Sequence, residues 1–296
     1  MSRKIGAHVS ASGGIEKSVD RAVAIGANCL QLFSGSPRVW RRVPLDSHDI
    51  EKLFSKQRES GIKPIFTHSL YLVNLASEKP EQLKKSIDVL TYDMAFDALV
   101  KGSGIIVHLG SHQGRGWDVV KNQVAESIAK IVKASPKEST FLIENSAGQK
   151  GKLCSELSEI RWLLDELKKL LGKQAEQVGW CFDTCHSFAA GYYLGEHKRL
   201  PEKEAKHQAR SLIEEITRLR LWKSLKCIHV NDSRDSFAAG RDRHANLGEG
   251  NIPHEDLVYF LNLDQVQDIP LILEVPGLDK KGPDAENIQR LQNLIK

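Results

Sequence analysis

Short apolar segments alternate with amphipathic stretches of helical spacing along the whole 296-residue sequence. Eight apolar segments occur, each short enough for one buried strand, and a stretch that predicts a helix follows each of them. Strands that alternate with helices in this way indicate parallel βα units. The predicted strands are 4–9, 29–33, 64–68, 104–108, 140–144, 179–183, 225–230 and 270–274, and the predicted helices are 14–25, 47–60, 80–101, 117–134, 153–171, 202–220, 254–262 and 284–295.

Closure of the eight strands into one barrel is the economical arrangement of these units, so the predicted fold class is α/β, a single (β/α)8 TIM barrel. The chain length suits such a barrel, and no long linker, low-complexity stretch or composition shift marks a domain boundary. We therefore expect one domain over residues 1–296, with the active site at the C-terminal ends of the strands. The pattern alone leaves an open, doubly wound sheet as the alternative.

Capping residues mark several of the predicted helix ends. Ser47 is the predicted N-cap of the second helix, and Gly61 is its predicted C-cap. Gly26 and Gly172 occupy the same kind of position after two other helices. These residues support the helix assignments.

The cellular compartment follows from what the sequence lacks. No apolar run approaches the roughly 18–20 residues that cross a bilayer, and no apolar core of a signal peptide follows Met1. We therefore expect a cytoplasmic protein with no membrane partner. Five scattered cysteines form neither a disulfide framework nor a CxxC zinc module, and we expect them to be reduced and mostly buried: Cys29, Cys154, Cys181, Cys185 and Cys227.

Positive charge is in slight excess, with a formal net charge of +4. This charge is compatible with a polyanionic partner but is weak support for one. Arg38, Arg41 and Arg42 surround Trp40. Clusters of this kind are more often solvated surface than nucleic-acid contacts, so this one does not decide the function.

Potential metal ligands stand at or beside the ends of six of the eight predicted strands. The strands of a parallel barrel end on one rim, so these side chains are expected to converge. Further candidates follow in loops on the same rim, His186 after the sixth strand and Asp242 with His244 after the seventh. The strand-end candidates are His68, His108, Glu144, Asp183, His229 and Glu274.

The residues two positions before these candidates share their orientation, because side chains alternate along a strand. Each of these residues is apolar or a thiol, as expected for a packed layer beneath a site. Cys181 and Cys227 are therefore interpreted as packing residues below the site and not as ligands. The layer is Phe66, Ile106, Leu142, Cys181, Cys227 and Ile272.

A single histidine at a strand end is more often a hydrogen-bonded structural residue than a ligand. Five histidines and four carboxylates buried together are different, because without cations they would lose hydration and repel one another. Imidazole and carboxylate suit zinc, and also manganese or iron. Nine ligands exceed the roughly four of one tetrahedral ion, which predicts two or three ions with bridging carboxylates. The net positive pocket suits a phosphodiester and a metal-bound hydroxide.

Nine short motifs also follow one another along the chain. They are GAHVSASGG at 6–14, PRVW at 37–40, HSLYLVNL at 68–75, IEN at 143–145, FDTCHSFAAG at 182–191, HVND at 229–232, DRH at 242–244, LGEGNI at 247–252 and LILE at 271–274. Each is weak alone, but their ordered co-occurrence is specific. Over nearly its whole length the chain closely resembles the endonuclease IV family of AP endonucleases, which are xylose-isomerase-like barrels.

The resemblance implies hydrolysis of the phosphodiester on the 5′ side of an abasic site, leaving a 3′-hydroxyl and a 5′-deoxyribose phosphate, with trimming of blocked 3′ ends. It implies that a metal-bridged hydroxide attacks phosphorus and that no protein side chain is the nucleophile. Glu144, which would bridge two ions, is the catalytic assignment. By motif position, three zinc ions are held by His68, His108 and Glu144, by Glu144, Asp183, His229 and Glu274, and by His186, Asp242 and His244.

The implied partner is double-stranded DNA with abasic sites or blocked 3′ ends, bound by a monomer. Arg38, Tyr71 and Leu72 match positions that enter the duplex while the abasic sugar is flipped out, and Arg243 matches a phosphate contact. By sequence alone, Tyr71 and Leu72 would instead form a small loop core. His8 and His112 also lie near strand ends, where they are expected to touch the ligands or DNA.

Two other functions stay open at this point. A xylose-isomerase-like sugar isomerase or epimerase shares the fold and a carboxylate–histidine metal site, but it needs fewer ligands and no arginine–aromatic wedge. A DNA-damage binder that does not cut would be favoured by a missing ligand, and none is missing.

Overall fold

Eight parallel strands close into a barrel in the computed structural model, which describes residues 3–149, 151–195 and 209–295. Each strand pairs with its neighbours in the sequence, and the first pairs with the last. The predicted (β/α)8 barrel is therefore confirmed, and the open sheet is excluded. The strands are β1 Ile5–His8, β2 Cys29–Phe33, β3 Ile65–His68, β4 Ile105–Val107, β5 Phe141–Glu144, β6 Val178–Asp183, β7 Leu225–His229 and β8 Leu271–Leu273.

Helices surround the barrel and cover the outward faces of the strands. They are α1 Glu16–Ala24, α2 Ile50–Ser60, α3 Pro80–Leu99, α4 Trp117–Lys133, α5 Leu157–Leu171, α6 Thr184–Ala189, α7 Leu212–Arg218, α8 His254–Leu261 and α9 Ala285–Leu294. Among these described helices, none combines the length and apolarity needed to cross a membrane.

Three details of the predicted helices are wrong. The N-cap of α2 is Asp49, whose side chain accepts from the Lys52 backbone N–H, because Ser47 lies in a preceding 3₁₀ turn. The prediction for 202–220 fails over 210–211, which are extended and pair with Tyr192–Tyr193, while 202–208 lie outside the described residues. The short helix α6 was not predicted. Gly61 does end α2, with a left-handed φ of 71°.

A separate apolar layer fills the barrel interior beneath the strand ends. It consists of the six residues expected from strand alternation, joined by Cys29 of β2. On β1 the corresponding residue is Gly6, where an added Cβ would lie 2.2 Å from the Cys29 carbonyl oxygen, so this position has no room for a side chain. All five cysteines are unpaired and buried, as predicted, and Cys29, Cys181 and Cys227 belong to this layer.

Truncation of this layer should destabilise the barrel. Leu142→Ala removes a fully buried side chain and should lower the free energy of unfolding by about 2–5 kcal/mol, through lost burial and a residual cavity. Val119→Ala, at a position 67% exposed on α4, is the control and should change it by less than about 0.5 kcal/mol. Urea unfolding of both variants tests this, and equal midpoints would contradict the packing role.

Candidate metal centre

The nine predicted ligands converge at the C-terminal end of the barrel, at the base of a cleft of about 1340 Å³. Glu144, Asp183 and His229 are the deepest and have no more than 1% of their surface exposed. Val107 and Leu273 are the last residues of β4 and β8, so His108 and Glu274 directly follow their strands. The cleft is lined by the other ligands His68, His108, His186, Asp242, His244 and Glu274.

Glu144 lies at the centre of the cluster, and its two carboxylate oxygens face different histidines. Oε2 is 3.3 Å from His68 Nε2 and 3.2 Å from His108 Nε2. Oε1 is 3.0 Å from His229 Nδ1. Donor atoms of His68, His108 and Glu144 all lie within 4.8 Å of one another, as do those of Glu144, Asp183, His229 and Glu274. Glu144 is thus common to two possible ion sites.

The remaining candidates surround the carboxylate of Asp242. Its Oδ1 is 3.1 Å from His186 Nε2 and 3.3 Å from His244 Nε2. The cluster is continuous, because His108 also groups with His186 and Asp242, and His244 also groups with Asp183. The structure therefore brings together all nine predicted ligands.

Local sequence explains how His186 reaches the cluster. Asp183 ends β6 and caps α6, since its Oδ1 accepts from the His186 backbone N–H at 2.7 Å. The Asp183-x-x-His186 spacing therefore places both side chains on one turn. Asp242 and His244 come from a hairpin in which Asp232–Ser233 pairs with His244–Ala245.

Hydrogen bonds determine which ring nitrogen carries the proton in several of the histidines. Nδ1 of His68 contacts the Ser69 carbonyl at 2.7 Å, and Nδ1 of His186 contacts the Asn145 carbonyl at 3.0 Å. A nitrogen that donates to a carbonyl leaves the other nitrogen with a lone pair. The Nε2 atoms of these rings point at the carboxylates, so their lone pairs face the cluster centre. This orientation is typical of histidines that bind metal ions.

The charges of the cluster depend strongly on one another. Burial opposes ionisation of Glu144, but the neighbouring His108 and His229 hold the pKa of this carboxyl well below its usual range. Burial by itself would lower the pKa of His229, yet the Glu274 and Glu144 carboxylates raise it to about 10. Burial lowers the pKa of His108 to about 4, and the nearby His186 and His68 act in the same direction. The Glu144 carboxylate is therefore anionic beside the protonated His229 ring, whereas burial raises the pKa of the neighbouring Asp183 carboxyl.

The donor set fits divalent cations. The Nε2 atoms of His186 and His244 are buried without a hydrogen-bond partner among the described residues, although Asp242 is near both. Lone pairs left in this way are costly unless a cation or water meets them. Nitrogen and oxygen donors converge here, which suits zinc and related ions. Cys185 also groups with Asp183 and His244, and Cys181 and Cys227 group with His229. Burial raises the pKa values of the Cys181 and Cys185 thiols, which disfavours their thiolates in the metal-free protein.

Two of the predicted DNA-contacting residues, Arg38 and Tyr71, line the cleft. Tyr71 is 61% exposed and Leu72 is 37% exposed, so their interpretation as a loop core is wrong. The Tyr71 ring packs edge-on against Phe33, 5.6 Å between centroids. The Tyr71 backbone N–H donates to the Pro37 carbonyl at 3.1 Å, which joins its loop to that of Arg38. Arg38 is exposed and lines the cleft with Tyr71.

Two other candidates are placed differently. Arg243 forms an ion pair with Asp235 of its own hairpin, with Nε 2.6 Å from Oδ2. His112 accepts the backbone N–H groups of Gly114 and Gly116 through Nδ1. His112 therefore stabilises a turn, and it does not touch the nine ligands.

Sequence reasoning assigned no role to three amides that hold the ligands. Asn231 Nδ2 donates to Asp183 Oδ2 at 2.6 Å, and Asn145 Oδ1 accepts from the Asp183 backbone N–H at 2.7 Å. Gln31 of β2 contacts both His229 and Glu274. A polar residue at an inward-facing position of an apolar strand was the available signal for Gln31.

Known proteins resemble the chain in sequence and in structure. A family model described as a xylose isomerase-like TIM barrel matches residues 19–296. A probable endonuclease 4 of Persephonella marina is 36% identical over 295 residues, covering 99% of this chain and 97% of that protein. The crystal structure of endonuclease IV from Thermus thermophilus has a TM-score of 0.81 and 29% identity, with 98% of each chain covered.

A sugar epimerase is similar only in fold. The structure of 3-keto-D-glucoside 4-epimerase from E. coli has a TM-score of 0.67 and 14% identity, with 99% of each chain covered. The identity to the endonucleases is more than twice as high. The isomerase or epimerase alternative is therefore not favoured.

Metal binding should release protons. In metal-free protein at pH 8, His229 is protonated because its pKa is raised to about 10. A metal ion binds only the neutral ring, so the affinity for Zn²⁺ should increase with pH up to about 10. Calorimetric titration of Zn²⁺ at pH 8, in buffers of different ionisation enthalpy, should give a net release of at least about one proton per chain.

His229→Gln should reduce this release, and His254→Gln, at an exposed position of α8, should leave it unchanged. Zinc binding without net proton release would show that His229 is neutral in the metal-free protein.

Proposed function

This chain belongs to the endonuclease IV family, and we propose that it hydrolyses the phosphodiester 5′ to abasic sites in double-stranded DNA. The products are a 3′-hydroxyl and a 5′-deoxyribose phosphate, and the same site removes blocking groups from 3′ ends. Family membership makes the chain a metal-dependent nuclease of DNA repair. We assign its substrate specificity to the residues of the cleft. The proposed enzyme is a monomer with a single barrel domain.

The metal complement belongs to the same proposal. The three ligand groups would hold three zinc ions, replaceable by Mn²⁺ or Fe²⁺, and Glu144 would be a ligand in two of these groups. The donor chemistry and the unpartnered nitrogens of His186 and His244 support this assignment. When bound, the ions supply Lewis acidity toward the phosphodiester and lower the pKa of a water molecule that attacks phosphorus. The ligands are His68, His108, Glu144, Asp183, His186, His229, Asp242, His244 and Glu274.

One observation carries the catalytic assignment, the division of the two Glu144 oxygens between histidines of different strands. A carboxylate with both oxygens facing donor groups is fixed in position and suits a bridging role. The side chain is fully buried, so water does not compete for its oxygens. Glu144 therefore fixes the relative positions of the two neighbouring ligand groups. It lies next to the position where the phosphate and the attacking water would meet.

Among the residues that the structure describes, no cysteine lines the cleft. Burial raises the pKa values of Cys181 and Cys185, so both stay protonated at neutral pH and react poorly. Direct attack by water, with no covalent intermediate on the protein, is therefore the proposed route.

Recognition of the lesion is assigned to the mouth of the cleft. Arg38 and Tyr71 are exposed and line the cleft with the ligands, Leu72 is exposed next to Tyr71, and the Tyr71–Pro37 hydrogen bond joins their two loops. They would fill the gap in the stack when the abasic nucleotide turns into the cleft. Flipping is least costly at a nucleotide that has lost its base, which gives selectivity. Arg243 would contact a phosphate of the DNA after its ion pair with Asp235 breaks.

Cleavage of a duplex with one tetrahydrofuran abasic analogue tests the reaction. This analogue cannot undergo β-elimination, so cutting it separates a hydrolase from a lyase. We expect a single break 5′ to the analogue, with a 3′-hydroxyl that a polymerase extends, and no break in the intact duplex. A break 3′ to the analogue, or none with zinc-loaded protein, would refute the proposed reaction.

Replacement of the central carboxylate should affect cutting more than binding. Glu144→Gln removes one negative charge between two ligand groups, and it should reduce turnover on the abasic duplex by more than tenfold, at least about 1.4 kcal/mol of barrier. Glu159→Gln changes a partly buried carboxylate that accepts from the Cys154 N–H, and it serves as the matched control. Retention of more than about a tenth of wild-type turnover by Glu144→Gln would remove the catalytic assignment.

The wedge residues should determine specificity. Tyr71→Ala should lower the preference for abasic over intact duplex about tenfold, because an aromatic ring in the stack contributes about 1–3 kcal/mol. Tyr71 carries no charge, so the salt dependence of binding should stay the same, whereas Arg38→Ala should reduce both quantities. Binding to both duplexes over a salt series measures this, with Tyr259→Ala on α8 as control. An equal loss on both duplexes would make Tyr71 an ordinary loop residue.

A further inference from the structure

Gln31 is a fully buried polar residue on β2, one of the two strands that supply none of the nine ligands. Its neighbour in the barrel register is His8 at the end of β1. Both side chains face the barrel axis beside the cluster, where Gln31 lies above Cys29 of the apolar layer. Burial of an unpaired amide would be costly, so its partners define what it does.

Both ends of the Gln31 amide have partners, and these partners fix its orientation. Nε2 is 2.6 Å from Glu274 Oε1 and 2.8 Å from His8 Nδ1, while Oε1 is 2.7 Å from His229 Nε2. A carboxylate oxygen can only accept, so the amide nitrogen must face Glu274. The reversed amide would bring two acceptor oxygens together. The two N–H groups of Gln31 thus meet two acceptors, and its oxygen meets a donor.

This orientation determines the tautomer of His229. Gln31 Oε1 accepts a hydrogen bond, so His229 carries a proton on Nε2, and once the ring is neutral, as metal binding requires, its lone pair is on Nδ1. Nδ1 lies 3.0 Å from Glu144 Oε1 and 3.2 Å from Glu274 Oε2. The lone pair therefore points at the centre of a ligand group.

The same amide determines the tautomer of His8. A Gln31 N–H donates to His8 Nδ1, so the ring proton of His8 is on Nε2. The 3.4 Å contact from Nδ1 to Glu274 Oε1 is longer and is not a hydrogen bond in this tautomer. His8 packs on Phe33, 4.3 Å between ring centroids. Its Nε2 is buried with no partner among the described residues, although His8 lines the cleft.

We propose that Gln31 is a positioning residue that sets the tautomers of His229 and His8 together, and that His8 donates its Nε2–H to a phosphate oxygen of the substrate. An N–H donor without a partner among the described residues, on a ring that lines the cleft, suits an anionic oxygen. The His8 half rests on the proposed nuclease function, whereas the Gln31 half depends only on metal binding. One glutamine would then couple the orientation of a ligand to that of a substrate contact.

Zinc affinity and histidine NMR test the Gln31 half without DNA. Gln31→Leu should lower the affinity for Zn²⁺, in competition with a chromophoric chelator, about tenfold or more. Gln177→Leu is the matched control, since Gln177 is another buried glutamine that donates only to the Pro136 and Ser139 carbonyls. In zinc-loaded protein labelled with ¹⁵N-histidine, His229 and His8 should both carry the proton on Nε2.

A second variant keeps this test decisive if Gln31→Leu folds poorly. Gln31→Glu can accept from His229 but cannot donate to His8 Nδ1, so it should keep the His229 tautomer and lose the single His8 tautomer. Wild-type zinc affinity in folded Gln31→Leu, or a proton on His229 Nδ1 in the zinc-loaded wild type, would overturn the positioning role.

Two substitutions of His8 test the phosphate contact. Asn places an amide near the position of Nδ1, and Gln places one near that of Nε2. His8→Asn should raise KM for the tetrahydrofuran duplex about tenfold, the size of one charge-assisted hydrogen bond, with zinc content unchanged. His8→Gln should recover most of this loss.

An unchanged KM in His8→Asn, or an equal loss in both variants, would overturn the contact. If wild-type protein does not cut the duplex at all, the proposed function fails, while the zinc affinities and tautomers still decide the role of Gln31.

Discussion

The shared burial of Glu144 among histidines from neighbouring strands is the interaction on which the rest of the site depends. Its carboxylate is fully enclosed and has histidine nitrogens within about 3.3 Å of both oxygens. Barrel closure creates this situation, because strands that end on one rim force their terminal side chains together. Charges so concentrated and so poorly hydrated favour bound cations, and the proposed hydrolysis of a phosphodiester depends on them.

The surrounding residues can be understood as support for this arrangement. The apolar layer below excludes water and fixes strand spacing, while the amides of Gln31, Asn145 and Asn231 hold ligand groups from the side. Hydrogen bonds to backbone carbonyls determine which ring nitrogen of His68 and of His186 carries the proton. Support of this kind keeps the ligand atoms aimed at the centre of the cluster before any ion binds.

Sequence reasoning predicted the features that depend on strand periodicity. The strand ends, and the inward layer that includes Cys181 and Ile106, follow from alternation with a period of two, which any buried parallel strand obeys. It failed where tertiary contacts decide. Helix α6 is fully buried, so it has no amphipathic pattern. Helix α2 begins after a 3₁₀ turn, which makes Asp49 and not Ser47 its N-cap. The orientation of the Gln31 amide depends on partners at the ends of three other strands.

The number and position of the bound ions are the central claim, and anomalous diffraction measures both. Crystals of zinc-loaded protein would be measured just above and just below the zinc absorption edge. The difference map should contain three peaks per chain, two of them beside Glu144 and the third between His186, Asp242 and His244. A single peak, or peaks that avoid Glu144, would contradict the bridging role and the mechanism built on it.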